Sequence, residues 1–270
     1  MKIHRSSGIF MMLVAASPAL AAETSVAVAA NFTEPAKQIA AAFHRSTGYT
    51  ATLSFGASGA FYTQITHGAP FEVFLSADAD RPKQAERDGL ALAGSRFTYA
   101  VGRLVLYSAT PRLVDDRGTV LRQGSFAHLA IADSLAAPYG AAAVQTMQRL
   151  GVATALAPKL VTGSSIAQAY QFVATGAAEL GFVARSQVIN VTGGSRWLVP
   201  EDLHAPIEQQ AVVLRTGANN AAAAAFVVFL KSPQATAIIR RFGYDVPRAN
   251  CTAVPRAAGS EQAHHRAARS

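Results

Sequence analysis

Residues 25–43 read SVAVAANFTEPAKQIAAAF, and this stretch decides the fold. Ser25 to Ala29 reads as a strand that runs into Asn31-Phe32-Thr33-Glu34-Pro35, after which Ile39, Ala42 and Phe43 recur at helical spacing as far as Gly48. The unit is strand, turn, helix. It repeats at once: Thr50 to Phe55 is β-rich, Gly56-Ala57-Ser58-Gly59 is a tight turn, and Phe61 and Ile65 mark a helix ending at Gly68. Phe71 to Leu75 reads as a third strand and Arg81 to Gly89 as a further helix. Alternating strands and helices with short turns predict a mostly parallel sheet covered on both faces.

A second series follows. Leu104 to Tyr107 is a strand leading out of the first unit, and Leu129 to Ala132 is a strand followed by the turn Pro138-Tyr139-Gly140 and a helix over Ala141 to Leu150. Lys159 to Val161 is a short strand, Gly163-Ser164-Ser165 caps a helix over Ile166 to Ala174, and Leu180 to Val183 is another strand. Ala211 to Leu214 is a late strand, and Ala221 to Phe242 is helical with a break at Pro233. The apolar face of this last region is suited to packing back on the first unit. The expected division is therefore 22–103 for one lobe, 104–209 for a second, and 210–247 returning to the first. A chain of 270 residues is long enough for two compact lobes.

The chain begins MKIHRSSGIFMMLVAASPALAA. Lys2 and Arg5 form a basic region, Gly8 to Ala16 an apolar stretch and Ala19-Leu20-Ala21 a small-residue cleavage signal, so 1–21 reads as a secretory signal peptide. Ser17 and Pro18 interrupt the run well before the roughly 20 apolar residues a membrane anchor needs. Export to an oxidising compartment is thus expected, yet Cys251 is the only cysteine, so no intrachain disulfide supports the fold. From Arg248 onward periodicity is lost, and 248–270 reads as a disordered tail in which His264 and His265 are solvated polar residues. The formal charge of +8 changes meaning once apportioned. Setting aside Lys2 and Arg5, then the four arginines and one glutamate of 248–270, leaves 18 basic against 15 acidic residues of the original 24 and 16. That balance carries no basic stripe of the kind nucleic-acid binders use, and no nucleic-acid partner is expected.

Three turns stand between the carboxyl end of a strand and the start of a helix: Ala30-Asn31-Phe32, Ala57-Ser58-Gly59 and Pro138-Tyr139-Gly140. The helix after Ser164-Ser165 supplies a fourth. Ligands of open α/β sheets bind at such places. Helix starts present unpaired N–H groups and partial positive charge, which suits an anion without a Lys or Arg nearby. Asn31, Ser58 and Tyr139 add neutral side-chain donors, and no carboxylate occurs within these turns. A fully ionised oxyanion has only acceptors and is satisfied there. Hydrogen phosphate needs an acceptor for its proton and is expected to be rejected. Taken singly, each residue has a plainer reading: Asn31 and Ser58 as helix caps, Tyr139 as a packing residue, Ile166 as core.

The stretches VAVAANFTEPAKQIAAAF, TLSFGASGAFYTQITHGAPFEVFLSADADRP, LAIADSLAAPYGAAAVQTMQRLG, LVTGSSIAQAYQFVATGAAELGFV and FLKSPQATAIIRRFGY resemble the periplasmic molybdate-binding proteins, from about Ser25 to Tyr244. The resemblance implies a two-lobed periplasmic binding protein fold of type II, each lobe a mostly parallel sheet flanked by helices and joined by hinge strands. It implies a monomeric periplasmic subunit of an ABC importer that captures molybdate or tungstate, uses no cofactor and hands its ligand to a membrane permease. Carried over by position, the family's ligand positions fall on Asn31, Ser58, Tyr139 and Ile166, the last two through backbone N–H groups. One departure is evident: where many members carry a tyrosine after the last second-lobe strand, this chain has Ala184, and Tyr139 is expected to restore a hydroxyl from another side.

Two other functions remain open at this point. One is a receptor for sulfate or another tetrahedral oxyanion. The other is a secreted hydrolase, against which His44, His67, His128 and His204 are scattered and Ser58 in GASG lacks the spacing of a nucleophile elbow. Asp78 with Asp80, and Asp115 with Asp116, read as solvated or capping carboxylates, and no dinucleotide fingerprint or P-loop is present.

Overall fold

The computed structural model describes residues 22–247. The expected signal peptide over 1–21 and the expected tail over 248–270, with Cys251, His264 and His265, lie outside the described residues. Four strands begin the chain: β1 (Glu23–Ala29), β2 (Thr50–Gly56), β3 (Val73–Leu75) and β4 (Phe97–Gly102). After Arg103 come β5 (Leu104–Ser108), β6 (Leu129–Ala132), β7 (Leu160–Gly163), β8 (Leu180–Ala184) and β9 (Ser195–Leu198), and then β10 (Ile207–Val213). They form two five-stranded sheets, ordered β2-β1-β3-β10-β4 and β7-β6-β8-β5-β9.

The two sheets are built alike. In the first, β1 runs parallel to β2 and β3, while β10 is antiparallel to both β3 and β4, so a single strand is reversed. In the second, β6 runs parallel to β7 and β8, and β5 is the reversed strand between β8 and β9. Each reversed strand is the one that enters from the other lobe: β5 follows the crossing at Arg103 and β10 follows the return after β9.

Helices α1 (Thr33–Thr47), α2 (Ser58–Thr66) and α3 (Asp80–Arg87) cover the first sheet. The second carries α4 (Val120–Gln123), α5 (Pro138–Arg149), α6 (Ala153–Leu156), α7 (Ile166–Ala174) and α8 (Arg185–Val188), and α9 (Ala221–Leu230) and α10 (Pro233–Arg241) follow β10. In α1 the buried residues Pro35, Ala36, Ile39, Ala42 and Phe43 form one stripe, and the helix stops at Gly48, whose left-handed φ of 76° lets its N–H close on the His44 carbonyl oxygen. The Phe43 ring meets Phe226 of α9 edge-on at 5.3 Å, and Phe226, Leu230 and Ile239 pack with Val26, Val28 and Phe43 in one core. Each fully buried side chain of this size contributes about 1.5–3 kcal/mol, which seats the C-terminal helices firmly on the first sheet.

Several boundaries differ from the sequence expectation for identifiable reasons. The third and seventh strands are Val73–Leu75 and Leu160–Gly163, and α3 is Asp80–Arg87. Strand β10 begins four residues earlier than expected, because Gln209 and Gln210 read as surface residues yet are buried. Pro138-Tyr139-Gly140 is the first turn of α5 itself, since proline is tolerated at the first helical position, where its missing N–H would have no partner. The terminal helical region divides at Ser232, whose side chain accepts from the Ala235 N–H at 3.2 Å and starts α10 afresh at Pro233. Strands β4 and β9 were not expected from the sequence. Among the described residues no single helix is long and apolar enough to cross a membrane.

Candidate functional site

Strands β1, β2, β6 and β7 all end in a turn into a helix, and their register sets those ends side by side. Ala29 is the partner of Gly56 in the first sheet and Ala132 that of Gly163 in the second. The two pairs of junctions face one another across the interlobe cleft. Asn31, Ser58, Tyr139 and Ile166 come together there around one small cavity, whose remaining wall includes Ala30, Ala57, Ala77 and Ala137. No Lys, Arg, His, Asp or Glu lines it. The space is far smaller than the roughly 300–1,000 Å³ typical of organic ligands, which leaves room only for a small ligand.

The donors of this cavity are chiefly backbone groups. Ser58 and Ile166 are the first residues of α2 and α7, and Tyr139 is the second of α5, so their N–H groups have no intrahelical partner. None of these three, nor the Asn31 N–H in the 3-10 turn before α1, donates to any other backbone or side-chain acceptor among the described residues. Ser165 caps α7 through the Gln168 N–H and so leaves Ile166 free, while Pro138 has no N–H and passes the donor role to Tyr139. The Ser58 hydroxyl accepts from the Ala77 N–H at 2.9 Å, which occupies a lone pair and leaves its proton to donate. Four N–H groups and one hydroxyl thus belong to residues that line a space without charged side chains.

Two side chains expected as donors are committed elsewhere. The Asn31 amide donates to Gln209 Oε1 at 2.9 Å and to the Tyr244 hydroxyl at 2.9 Å. The Tyr139 hydroxyl accepts from Gln209 Nε2 at 3.2 Å and lies so close over Gly102 that no Cβ fits there. Asn31 and Tyr139 thus offer the cavity backbone donors, and their side chains join a polar network behind it. The network closes on itself: Asn31 Nδ2 donates to Tyr244, the Tyr244 hydroxyl donates to Ser186 Oγ at 2.9 Å, and Ser186 Oγ donates to the Asn31 carbonyl oxygen at 2.7 Å. Tyr99 donates to Gln209 Oε1 at 3.0 Å, and Phe32 packs edge-on against both Tyr99 and Tyr244. Ala184 is fully buried away from the cavity, its N–H held by Gln187 Oε1 at 2.9 Å. Sequence reasoning missed Tyr99, Ser186, Gln209 and Tyr244 altogether, because nothing local marks them as neighbours.

Burial pushes the Tyr99 and Tyr139 hydroxyls well above their ordinary range and raises Tyr244 from 10.0 to about 12. The folded protein thus holds these protons to higher pH than the unfolded chain. Their contribution to stability is complete below pH 10.0 and is lost as pH rises through about 12. Tyr244 alone accounts for about 2–3 kcal/mol. Urea midpoints measured between about pH 8 and about pH 11 are expected to fall at the alkaline end, less steeply in Tyr244→Phe; a flat profile in the wild type contradicts the burial argument.

The other sequence candidates do not converge. Asp78 pairs with Arg81, and the Thr119 hydroxyl, followed by the Thr119 N–H that Asp115 accepts, holds the Asp115 carboxyl low. His44, His67 and His128 are exposed at separate places, and His204 is buried with Nδ1 at 2.7 Å from the Ala205 oxygen. Among the described residues no group of three or more His, Cys, Asp or Glu could hold a metal ion. A larger interlobe groove shares Ala77 and Pro138 with the small cavity, but Asp78, Asp80 and Glu208 line it against the single cation Arg81, so its wall is net negative and disfavours an anion.

Two lobes that meet around a small cavity lined by uncharged residues define a ligand-capturing protein of the two-lobed binding class. The profile of the bacterial extracellular solute-binding proteins matches residues 24–245. The molybdate-binding protein ModA of Rhodobacter capsulatus is 60% identical over 239 residues, covering 88% of this chain and 94% of its own. That of Escherichia coli is 30% identical over 250 residues, covering 89% of this chain and 96% of its own. The solved periplasmic molybdate-binding protein of Azotobacter vinelandii superposes with a TM-score of 0.81 at 43% identity, over 83% of this chain and 100% of its own. The chain belongs to the bacterial extracellular solute-binding proteins and, within them, to the molybdate-binding proteins.

Proposed function

We propose that this protein is the periplasmic solute-binding subunit of an ABC importer, capturing molybdate or tungstate between its lobes and delivering it to a membrane permease. The observation that carries this reading is the convergence of unpartnered N–H groups at Asn31, Ser58, Tyr139 and Ile166, with the Ser58 hydroxyl, on a cavity without charged residues. A tetrahedral dianion accepts from all of them. Each hydrogen bond to a charged group is worth roughly 1.5–3 kcal/mol, so about five of them offset desolvation and leave tight binding. The absence of a carboxylate acceptor in the wall disfavours hydrogen phosphate, whose proton such a group would take up. A relative 60% identical to this chain and a solved structure with this fold are both named for molybdate. The protein acts as a monomer in the periplasm, without cofactor or chemical turnover. Ligand bridges both lobes and favours the closed state through contacts the open state lacks.

Calorimetry with molybdate, tungstate, sulfate and phosphate tests the reading. Molybdate and tungstate are expected to bind tightly and raise the melting temperature by linkage, and phosphate to leave it unchanged. Sulfate or phosphate binding as tightly as molybdate would refute the assigned specificity.

A further inference from the structure

The lobes also touch each other directly, on both flanks of the cavity, through groups that do not line it. On one flank the Gly59 N–H, in the first turn of α2, donates to the Ala136 carbonyl oxygen of the second lobe at 2.8 Å, and Arg81 Nη2 donates to the Leu135 oxygen at 2.6 Å. On the other, Ser186 Oγ of the second lobe donates to the Asn31 oxygen at 2.7 Å. These bonds bracket the site, since Ser58 precedes Gly59 and the Asn31 N–H belongs to the cavity wall.

Gly59 is required by the opposite lobe and not by its own. Its φ is not in the left-handed region, and it lies inside a helix, where alanine is the better helix former. A Cβ at this position would meet Ala136 Cα at 2.9 Å and the Ala136 oxygen at 3.0 Å. Those are backbone atoms that cannot swing aside. The same Cβ would meet Arg81 Nη2 at 2.8 Å, but that is the far end of a flexible side chain. With the lobes apart, the clash with Ala136 vanishes.

We propose that Gly59 and Ser186 are closure stops: direct lobe-to-lobe contacts that set how closely the lobes meet around the anion, so that its retention depends on residues that never touch it. The proposal rests on the anion-capturing function given above. Contacts made only in the closed state add to the differential free energy between the two states. They govern escape of the ligand, whereas encounter takes place with the open form, which has not yet made them.

Stopped-flow kinetics of molybdate binding to the full chain, with melting of the ligand-free protein, tests this on Gly59→Ala, Ser186→Ala and Ser186→Thr. Gly59→Ala is expected to raise the dissociation rate constant about a hundredfold, and Ser186→Ala about tenfold for the loss of its two hydrogen bonds. Ser186→Thr, which keeps the hydroxyl, should restore most of the difference. Association rate constants are expected within about twofold of wild type, and ligand-free melting temperatures to stay unchanged. Dissociation at the wild-type rate in Gly59→Ala and Ser186→Ala overturns the proposal, as does an equal loss of ligand-free stability, which marks a merely structural role. Wild-type protein that gives no molybdate signal refutes the functional reading as well; wild-type binding with unaltered variants refutes the stops alone.

Discussion

Asn31→Asp is expected to abolish molybdate binding at neutral pH while leaving the chain folded. The substitution changes a side chain that does not itself reach the ligand. It is nearly isosteric, but it replaces the donor facing Gln209 Oε1 and the Tyr244 hydroxyl with a carboxylate oxygen. It also places a negative charge behind a cavity in which no cationic residue offsets it. At about 4 Å and an effective dielectric constant near 20, a pair of unit charges interacts by about 4 kcal/mol, and a dianion doubles that. A loss of affinity well over about a thousandfold follows. Because the penalty is electrostatic, part of the affinity should return as the carboxyl is protonated. Calorimetry at about pH 7 and about pH 5 reads both effects. Binding within about tenfold of wild type at neutral pH would mean that the cavity tolerates a buried negative charge and does not select its anion through neutral donors.

Ser58→Pro has the second-largest expected effect, and it isolates a backbone donor. Proline is accepted at the first position of a helix, and the preceding residue, Ala57, already has the extended φ of −72° and ψ of 142° that proline requires of its predecessor. The helix survives; the N–H and the hydroxyl are lost. Two hydrogen bonds to a charged ligand, at roughly 1.5–3 kcal/mol each, amount to a weakening of about a hundredfold to ten-thousandfold. Ser58→Ala removes only the hydroxyl and should cost about tenfold to a hundredfold. Both variants deprive the Ala77 N–H of its acceptor, so their losses of stability should be similar. The difference in affinity between them therefore measures the N–H. If proline and alanine weaken binding equally, the Ser58 N–H does not face the ligand.

Much of the fold was legible because its signals are local. The β1–α1, β2–α2, β6–α5 and β7–α7 units each carry a short apolar run, a small or polar junction and a helical stripe within some twenty residues. Strand β10 extends beyond its sequence expectation because Glu208, Gln209 and Gln210 look like surface residues; burial of the two glutamines depends on partners far along the chain, such as Arg96 for Gln210 and Asn31 for Gln209. Strand β4 escaped notice because no turn signal separates it from β5, with only Arg103 between them. Position in a strand-to-helix junction singled out the candidate site residues, but not what their side chains do. An asparagine at a helix start can turn its amide toward a ligand or away from it, and the choice here follows from Gln209 and Tyr244.

By itself the sequence determined the repeating strand-turn-helix units and the four junctions that present unpaired N–H groups, since helix starts and the absence of nearby charge are properties of contiguous residues. Only the tertiary structure decided that these junctions meet in one cavity, that Asn31 and Tyr139 face it with backbone and not side chain, and that Gly59 abuts Ala136 across the cleft. The physical reason is that hydrogen-bond partners and close contacts across two lobes are selected by where the sheets bring distant segments together, and no local pattern encodes that proximity.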